Sequence, residues 1–187
     1  MDVGCAVGRL SFELVRHADL VIGLDLSAGF VRAARTLVRE GQLAYVPVIE
    51  GELTEERLVR LPTDLPRERV EFVQGDALAL PFPASLFATA TSLNLLDRVP
   101  VPRHHLAELN RVTKTVGAAL LVADPWSWAE SPALPTAWLD GRLGGDNAGD
   151  SRTNLQHWLV TACRHPGASA ARDASTGRCA IAATTSN

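Results

Sequence analysis

Residues 2–8 read DVGCAVG, and the helical-looking stretch RLSFEL (9–14) follows without a break. Gly4 and Gly8 let a chain turn tightly and bring backbone close to another group, since neither carries a Cβ. From Arg9 to Ala18 the apolar residues Leu10, Leu14 and Ala18 recur every four positions, the stripe of a helix that starts on the glycine turn. DLVIGLDLS (19–27) then predicts a buried strand over 20–24. Ser27 is suited to cap a helix whose face carries Val31, Ala34, Leu37 and Val38, with Gly41 as its stop. Strand end, glycine turn, helix, strand, helix is the opening of an α/β domain built on parallel strands.

Outward from this opening the pattern continues. VEFVQGD (70–76), SLFATATSLNLL (85–96) and GAALLVADP (117–125) predict a third, fourth and fifth strand, with a helix over about 103–115 between the last two. Residues 42–69 are polar and proline-containing and predict an insertion, with one helical candidate over 54–61. The expected architecture is α/β, a Rossmann-like doubly wound and mostly parallel sheet. It is short at its first strand and has no recognisable C-terminal hairpin. One domain is expected over 1–160, and residues 161–187, mostly Ala, Ser, Thr and Arg, predict an irregular or disordered tail.

With 187 residues, 47% of them hydrophobic, the chain is long enough for one substantial core. A formal charge of -3 with scattered arginines gives no footprint for nucleic acid. No apolar run approaches the roughly 20 residues of a membrane span. The three cysteines, Cys5, Cys163 and Cys179, lack metal-ligand spacing, and no secretory leader pattern opens the chain, so a cytoplasmic protein without a metal is expected.

In open parallel sheets, ligands bind beyond the carboxyl ends of the strands. Here those ends carry, in order, the 2–8 turn, Asp25, Asp76, Asn94 and Asp124. Asp25 lies 21 residues after Gly4, where an acid meets ribose hydroxyls. A dinucleotide fingerprint fails on spacing, because Ala6 and Arg9 stand where its second and third glycines belong. Each acid taken singly is also a turn former or helix cap.

These residues resemble the class I S-adenosylmethionine-dependent methyltransferases, whose first motif is an acid-x-Gly-x-Gly-x-Gly turn, here with Ala6 at the middle glycine. A narrower resemblance covers DVGCAVGRLSFEL, EGELTEERLVRLP, VQGDALALP, NLLDRVPVP and DPWSWAESPALPTAWLDG. Together these stretches are similar to the mercaptohistidine N-methyltransferase domain that forms the C-terminal part of ovothiol-biosynthesis enzymes. The resemblance implies S-adenosylmethionine as cofactor and an imidazole nitrogen of 5-mercaptohistidine as acceptor. It also implies a domain that occurs free or in fusion or association with an ovothiol-pathway sulfoxide synthase. It places Asp2, Gly4, Cys5 and Gly8 around the amino acid part of the cofactor and Asp25 with Leu26 at the ribose. Asp76 and Ala77 fall at the adenine, and Asn94 and Leu95 beneath the sulfonium.

Asp97 and Asp124 are the candidates to orient the acceptor or take its proton. Asp97 is equally placed to pair with Arg98 or cap the next helix. Trp126 and Trp128 are candidates to wall a flat acceptor or, alternatively, to plug the sheet end as core. His104 and His105, at the start of a helix, are expected to be solvated. Two competing expectations are a non-catalytic domain that keeps the fold without turnover, because a parallel sheet missing half a strand leaves unpaired backbone groups, and a methyltransferase acting on another small metabolite.

Overall fold

The computed structural model describes residues 1–139 and 149–162. The irregular tail expected over 161–187 lies almost wholly outside them, as do Cys163 and Cys179. The chain divides into two units, Met1–Gln74 and Gly75–Asn187.

In the first unit, β1 (Asp2–Val3) pairs in parallel with β2 (Val21–Asp25), which pairs in parallel with β7 (Val70–Gln74), in the order β7-β2-β1. Between β1 and β2 runs α1 (Arg9–Leu14), shorter than the stripe predicts because Arg16 and His17 turn back onto the carbonyls of Glu13 and Leu14. α2 (Ala28–Glu40) is as predicted: Ser27 Oγ accepts from Phe30 N at 3.3 Å, and Gly41 ends the helix at φ 72°. Its buried face of Val31, Ala34 and Leu37 packs in one core with Phe12, Val15, Val21, Val70 and Phe72.

The expected helix over 54–61 does not form. β3 (Gln42–Tyr45) pairs antiparallel with β6 (Arg57–Arg60), and β4 (Val48–Glu50) with β5 (Leu53–Thr54). An eight-residue window with two leucines is too short to propagate a helix alone. The strand it forms instead depends on partners that lie outside any local window, in Gln42–Tyr45.

In the second unit, β8 (Thr89–Leu93) pairs in parallel with β9 (Ala119–Ala123). Between them α3 (Pro102–Val112) begins on a proline and buries Leu106, Leu109 and Val112. No strand follows β9 among the described residues. Instead α4 (Ser151–Ala162), which the sequence pattern did not predict, starts on Asp150, whose carboxylate accepts from Thr153 N at 2.9 Å and Thr153 Oγ1 at 2.6 Å. Parallel strands with helices between β1 and β2, between β2 and β7 and between β8 and β9 make this an α/β, Rossmann-like fold.

Two glycines of the first unit are fixed by packing. A Cβ on Gly8 would lie 2.3 Å from Phe72 Cζ, and one on Gly23 would lie 2.6 Å from the same ring. Gly8 also sits at φ 91°. Gly8→Ala therefore combines backbone strain with a clash in the core, and urea unfolding should show a loss of about 3 kcal/mol. A loss under about 0.5 kcal/mol would mean that Phe72 can move aside.

Candidate functional site

The glycine turn in the first unit is held to the end of β2 by backbone and by one carboxylate. Gly4 N and Cys5 N both donate to Leu24 O, at 2.8 and 3.1 Å, and Gly8 N donates to Cys5 O at 2.8 Å. Gly4, Ala6 and Gly8 have φ of 75°, 49° and 91°, so the turn alternates through the left-handed region. Alanine at position 6 carries a Cβ in a conformation that costs about 1 kcal/mol, and its amide is secured by Asp25 Oδ2 at 2.8 Å. Asp25 Oδ1 accepts from Ser27 N at 2.9 Å. Each oxygen of a carboxylate has about two acceptor directions, so Asp25, half-buried at the strand end, keeps one free on each. Leu26 beside it is exposed.

Asp2 is buried and accepts from Ser11 Oγ at 2.7 Å, which ties β1 to α1. Cys5 is buried too, and its thiol pKa is pushed up to about 12, first by burial and then by the charges of Asp2 and Asp25. It is a packing residue, as its position in a glycine turn suggests.

In the second unit the strand ends carry three features. After β7, Asp76 is exposed and closes a turn by accepting from Leu78 N at 2.8 Å, with Ala77 half-buried beside it. After β8, Asn94 is exposed at φ 53°, its amide bonded to Ala123 O at 2.7 Å, and Leu95 is half-buried. After β9 comes Asp124.

The structure brings Asp97 and Asp124 together. Asp124 Oδ2 accepts from Asp97 N at 3.1 Å and Asp124 Oδ1 from Trp126 N at 3.0 Å. Asp97 Oδ2 in turn accepts from Ser127 N at 3.0 Å and Ser127 Oγ at 2.6 Å. Both carboxylates are buried, and burial, reinforced by the charge of Asp97, raises the Asp124 pKa. Asp97 Oδ1 has no hydrogen-bond partner. Arg98 Nε is 3.3 Å from it, so the expected pairing with Arg98 exists as an ion pair without hydrogen-bond alignment. Asp97 does not cap α3, whose start carries no side-chain cap.

The two tryptophans part company. Trp128 stacks on Trp138 at 6.2 Å between ring centres and donates from Nε1 to Ser151 Oγ at 2.8 Å, so it is spent on packing. Trp126 is half-buried with φ 57°, rare for a bulky residue and a form of strain that gathers at functional sites.

His104 is exposed as expected, but His105 is fully buried. Its Nε2 lies 2.8 Å from Ser92 Oγ and its Nδ1 3.1 Å from Ala77 O. Only its place on the apolar face with Leu106 and Leu109 signals this in the sequence, because both partners are distant in the chain.

With the glycine turn, the strand-end acids and the parallel α/β fold in place, the comparison with known proteins is direct. The family model described as a methyltransferase domain matches residues 1–121, and the chain belongs to that family. S-adenosylmethionine is the cofactor of this domain. No protein of curated function matches in sequence.

Among solved structures, the cyclase SpnF is 24% identical over 86% of this chain and 49% of its own, with a TM-score of 0.55. The YcgJ protein of Bacillus subtilis is 23% identical over 60% of this chain and 38% of its own, at 0.46. A SAM-dependent methyltransferase of Methanosarcina mazei is 26% identical over 62% of this chain and 47% of its own, at 0.44. The chain thus spans less than half the length of each. Among the described residues no helix is long and apolar enough to cross a membrane.

The raised Cys5 pKa sets a reactivity test. An ordinary thiol, near 8.5, alkylates fast by pH 9. Cys5 in the folded protein should remain unmodified by iodoacetamide from pH 7 to 10 in peptide mapping and react only after denaturation. Rapid labelling at pH 8 would refute its burial.

Proposed function

We propose that this domain transfers the methyl group of S-adenosylmethionine to a small-molecule acceptor, and that the acceptor is an imidazole nitrogen of a 5-mercaptohistidine. The observation that carries the cofactor half is the Asp25 carboxylate, which holds the Ala6 amide of the left-handed turn and keeps acceptor directions for two hydroxyls. The acceptor half rests on the five resembling sequence stretches and on the buried Asp97 Oδ1, which accepts no hydrogen bond.

When bound, the cofactor supplies an electrophilic methyl on a positively charged sulfur. Asp25, with Leu26 alongside, receives the ribose hydroxyls, and Asp2, Gly4, Cys5 and Gly8 shape the surroundings of the amino acid portion. In the second unit Asp76 and Ala77 meet the adenine, and Asn94 and Leu95 line the sulfonium side. Asp97 Oδ1 accepts the N–H of an incoming imidazole, fixes its tautomer and takes its proton. Asp124, whose pKa burial raises, holds Asp97 in place through its backbone amide. Trp126 presents a flat apolar face to the acceptor ring. Association with an ovothiol-pathway sulfoxide synthase and a cytoplasmic location follow from this assignment.

Calorimetry is expected to give micromolar binding of S-adenosylmethionine, weakened at least tenfold by Asp25→Asn, which keeps the side-chain shape. A chain indifferent to the ligand would overturn the cofactor assignment. A product assay over thiol-substituted and plain imidazoles tests the acceptor, and methylation of an unrelated metabolite alone would favour the broader alternative.

Asp97→Asn separates catalysis from folding. The Asn oxygen can replace Oδ2 toward Ser127 while its amide nitrogen at the Oδ1 position gives up the ion pair with Arg98, so the variant should stay folded with a stability loss of about 1–2 kcal/mol. Turnover should fall by about 100-fold or more. Undiminished turnover would remove Asp97 from the reaction.

A further inference from the structure

The loop from Asp76 to Phe82 is gripped by one helix. His105, Glu108 and Arg111 stand three residues apart on α3, close enough in angle to share a side of it. His105 Nδ1 reaches Ala77 O at 3.1 Å, and Glu108 Oε2 accepts from Leu80 N at 2.8 Å. Arg111 donates to Leu80 O at 2.9 Å and to Phe82 O at 2.7 Å, while its own bonds to Glu108 are 2.6 and 2.7 Å long. All of these bonds to the loop end on its backbone, so they fix its path whatever its side chains are.

His105 is the member beside the Asp76–Ala77 turn, and chemistry settles its tautomer. A carbonyl oxygen only accepts, so Nδ1 carries the hydrogen toward Ala77 O. Nε2 is then the bare nitrogen, and it accepts from the Ser92 hydroxyl. Ser92 lies on β8 two residues before Asn94. One buried imidazole thus spans from the loop that follows β7 to the strand that leads to Asn94. Its full burial favours the neutral ring that this arrangement requires, against the opposing charges of Asp76 on the loop and Glu108 on α3.

We propose that His105 is a positioning residue for the nucleoside end of the cofactor: its Nδ1–H sets the Ala77 carbonyl and so holds the Asp76–Ala77 turn in the shape that binds adenine. The inference rests on the cofactor assignment made above and adds to it a residue that touches no ligand.

Two substitutions divide the imidazole's roles. His105→Asn places an amide N–H near the Nδ1 position and can keep the Ala77 bond, whereas His105→Gln reaches toward Ser92 and leaves Ala77 O unpaired. Calorimetric affinity for S-adenosylhomocysteine and for adenosine should stay within about twofold of wild type in the Asn variant and fall about tenfold in the Gln variant, the worth of one buried hydrogen bond. Amide hydrogen exchange without ligand supplies a second measurement, with Leu78 and Ala79 exchanging faster in the Gln variant and at the wild-type rate in the Asn variant. Nitrogen-detected imidazole spectra should show the Nδ1–H form in wild type.

Equal losses in both variants, or an Nε2–H ring, would overturn the inference and leave His105 as core packing. If wild type binds neither ligand, the cofactor assignment fails, and the exchange rates still decide whether His105 holds the turn.

Discussion

The ring of Phe72 occupies space that two glycines leave open. Gly8 in the turn after β1 and Gly23 in the middle of β2 both face it, and a Cβ on either would come within 2.6 Å of a ring atom. Phe12 of α1 meets the same ring edge-on at 5.5 Å. The glycine turn is therefore seated by a core aromatic as well as by its own backbone conformation. That seat fixes where α1 starts and where the amides of residues 4 to 8 point. Glycine at position 8 is doubly required, by its φ and by its neighbour, whereas position 6 faces only the first demand and tolerates alanine.

The strand-end acids resolve a conflict between two roles that sequence patterns leave open. An aspartate after a strand can form a turn or meet a ligand. At Asp25 both oxygens bond backbone amides, so the turn-forming role is real. It does not exhaust the carboxylate, because each oxygen keeps a second acceptor direction. The structural bonds hold the group still, and a fixed acceptor loses less entropy on meeting a hydroxyl than a free one. Asp97 carries the same logic further: Ser127 holds Oδ2 twice, and Oδ1 is left without a hydrogen-bond donor in a buried setting. Its ion pair with Arg98 lacks hydrogen-bond alignment, and a buried acceptor without a hydrogen bond costs about 1–3 kcal/mol, a cost that a bound donor would recover.

What the sequence revealed and what it concealed divide by range. The glycine turn, the Ser27 cap, the Gly41 stop and the acids at successive strand ends were all legible, because each is a local signal read within a few residues. The antiparallel pairs over 42–60 were not, since Arg57–Arg60 becomes a strand only against Gln42–Tyr45. That His105 lies in the core and not at the surface is hidden for a related reason. A helix start is usually wet, and nothing adjacent shows that Ala77 and Ser92 will close over the ring. α4 is hidden in the sequence although Asp150 followed by Thr153 is a capping pattern, because the proline- and glycine-rich residues before it mask the helix that follows.

Backbone strain gathers at the same places as the acids. Among the described residues four other than glycine have positive φ, and three of them, Ala6, Asn94 and Trp126, stand just beyond the ends of β1, β8 and β9. Each costs roughly 1–2 kcal/mol that a relaxed chain would avoid. Each is also secured by a bond to its own amide: Asp25 holds Ala6, Asp124 holds Trp126, and the Ala123 carbonyl holds Asn94. Strain survives only where its surroundings over-determine it, and here one of the three anchors, Asp25, is the carboxylate assigned to the cofactor and another, Asp124, holds the carboxylate assigned to the acceptor. Removing either acid would therefore release a strained turn as well as delete a charge, which is why amides of the same shape, and not alanines, are the substitutions that isolate the chemistry.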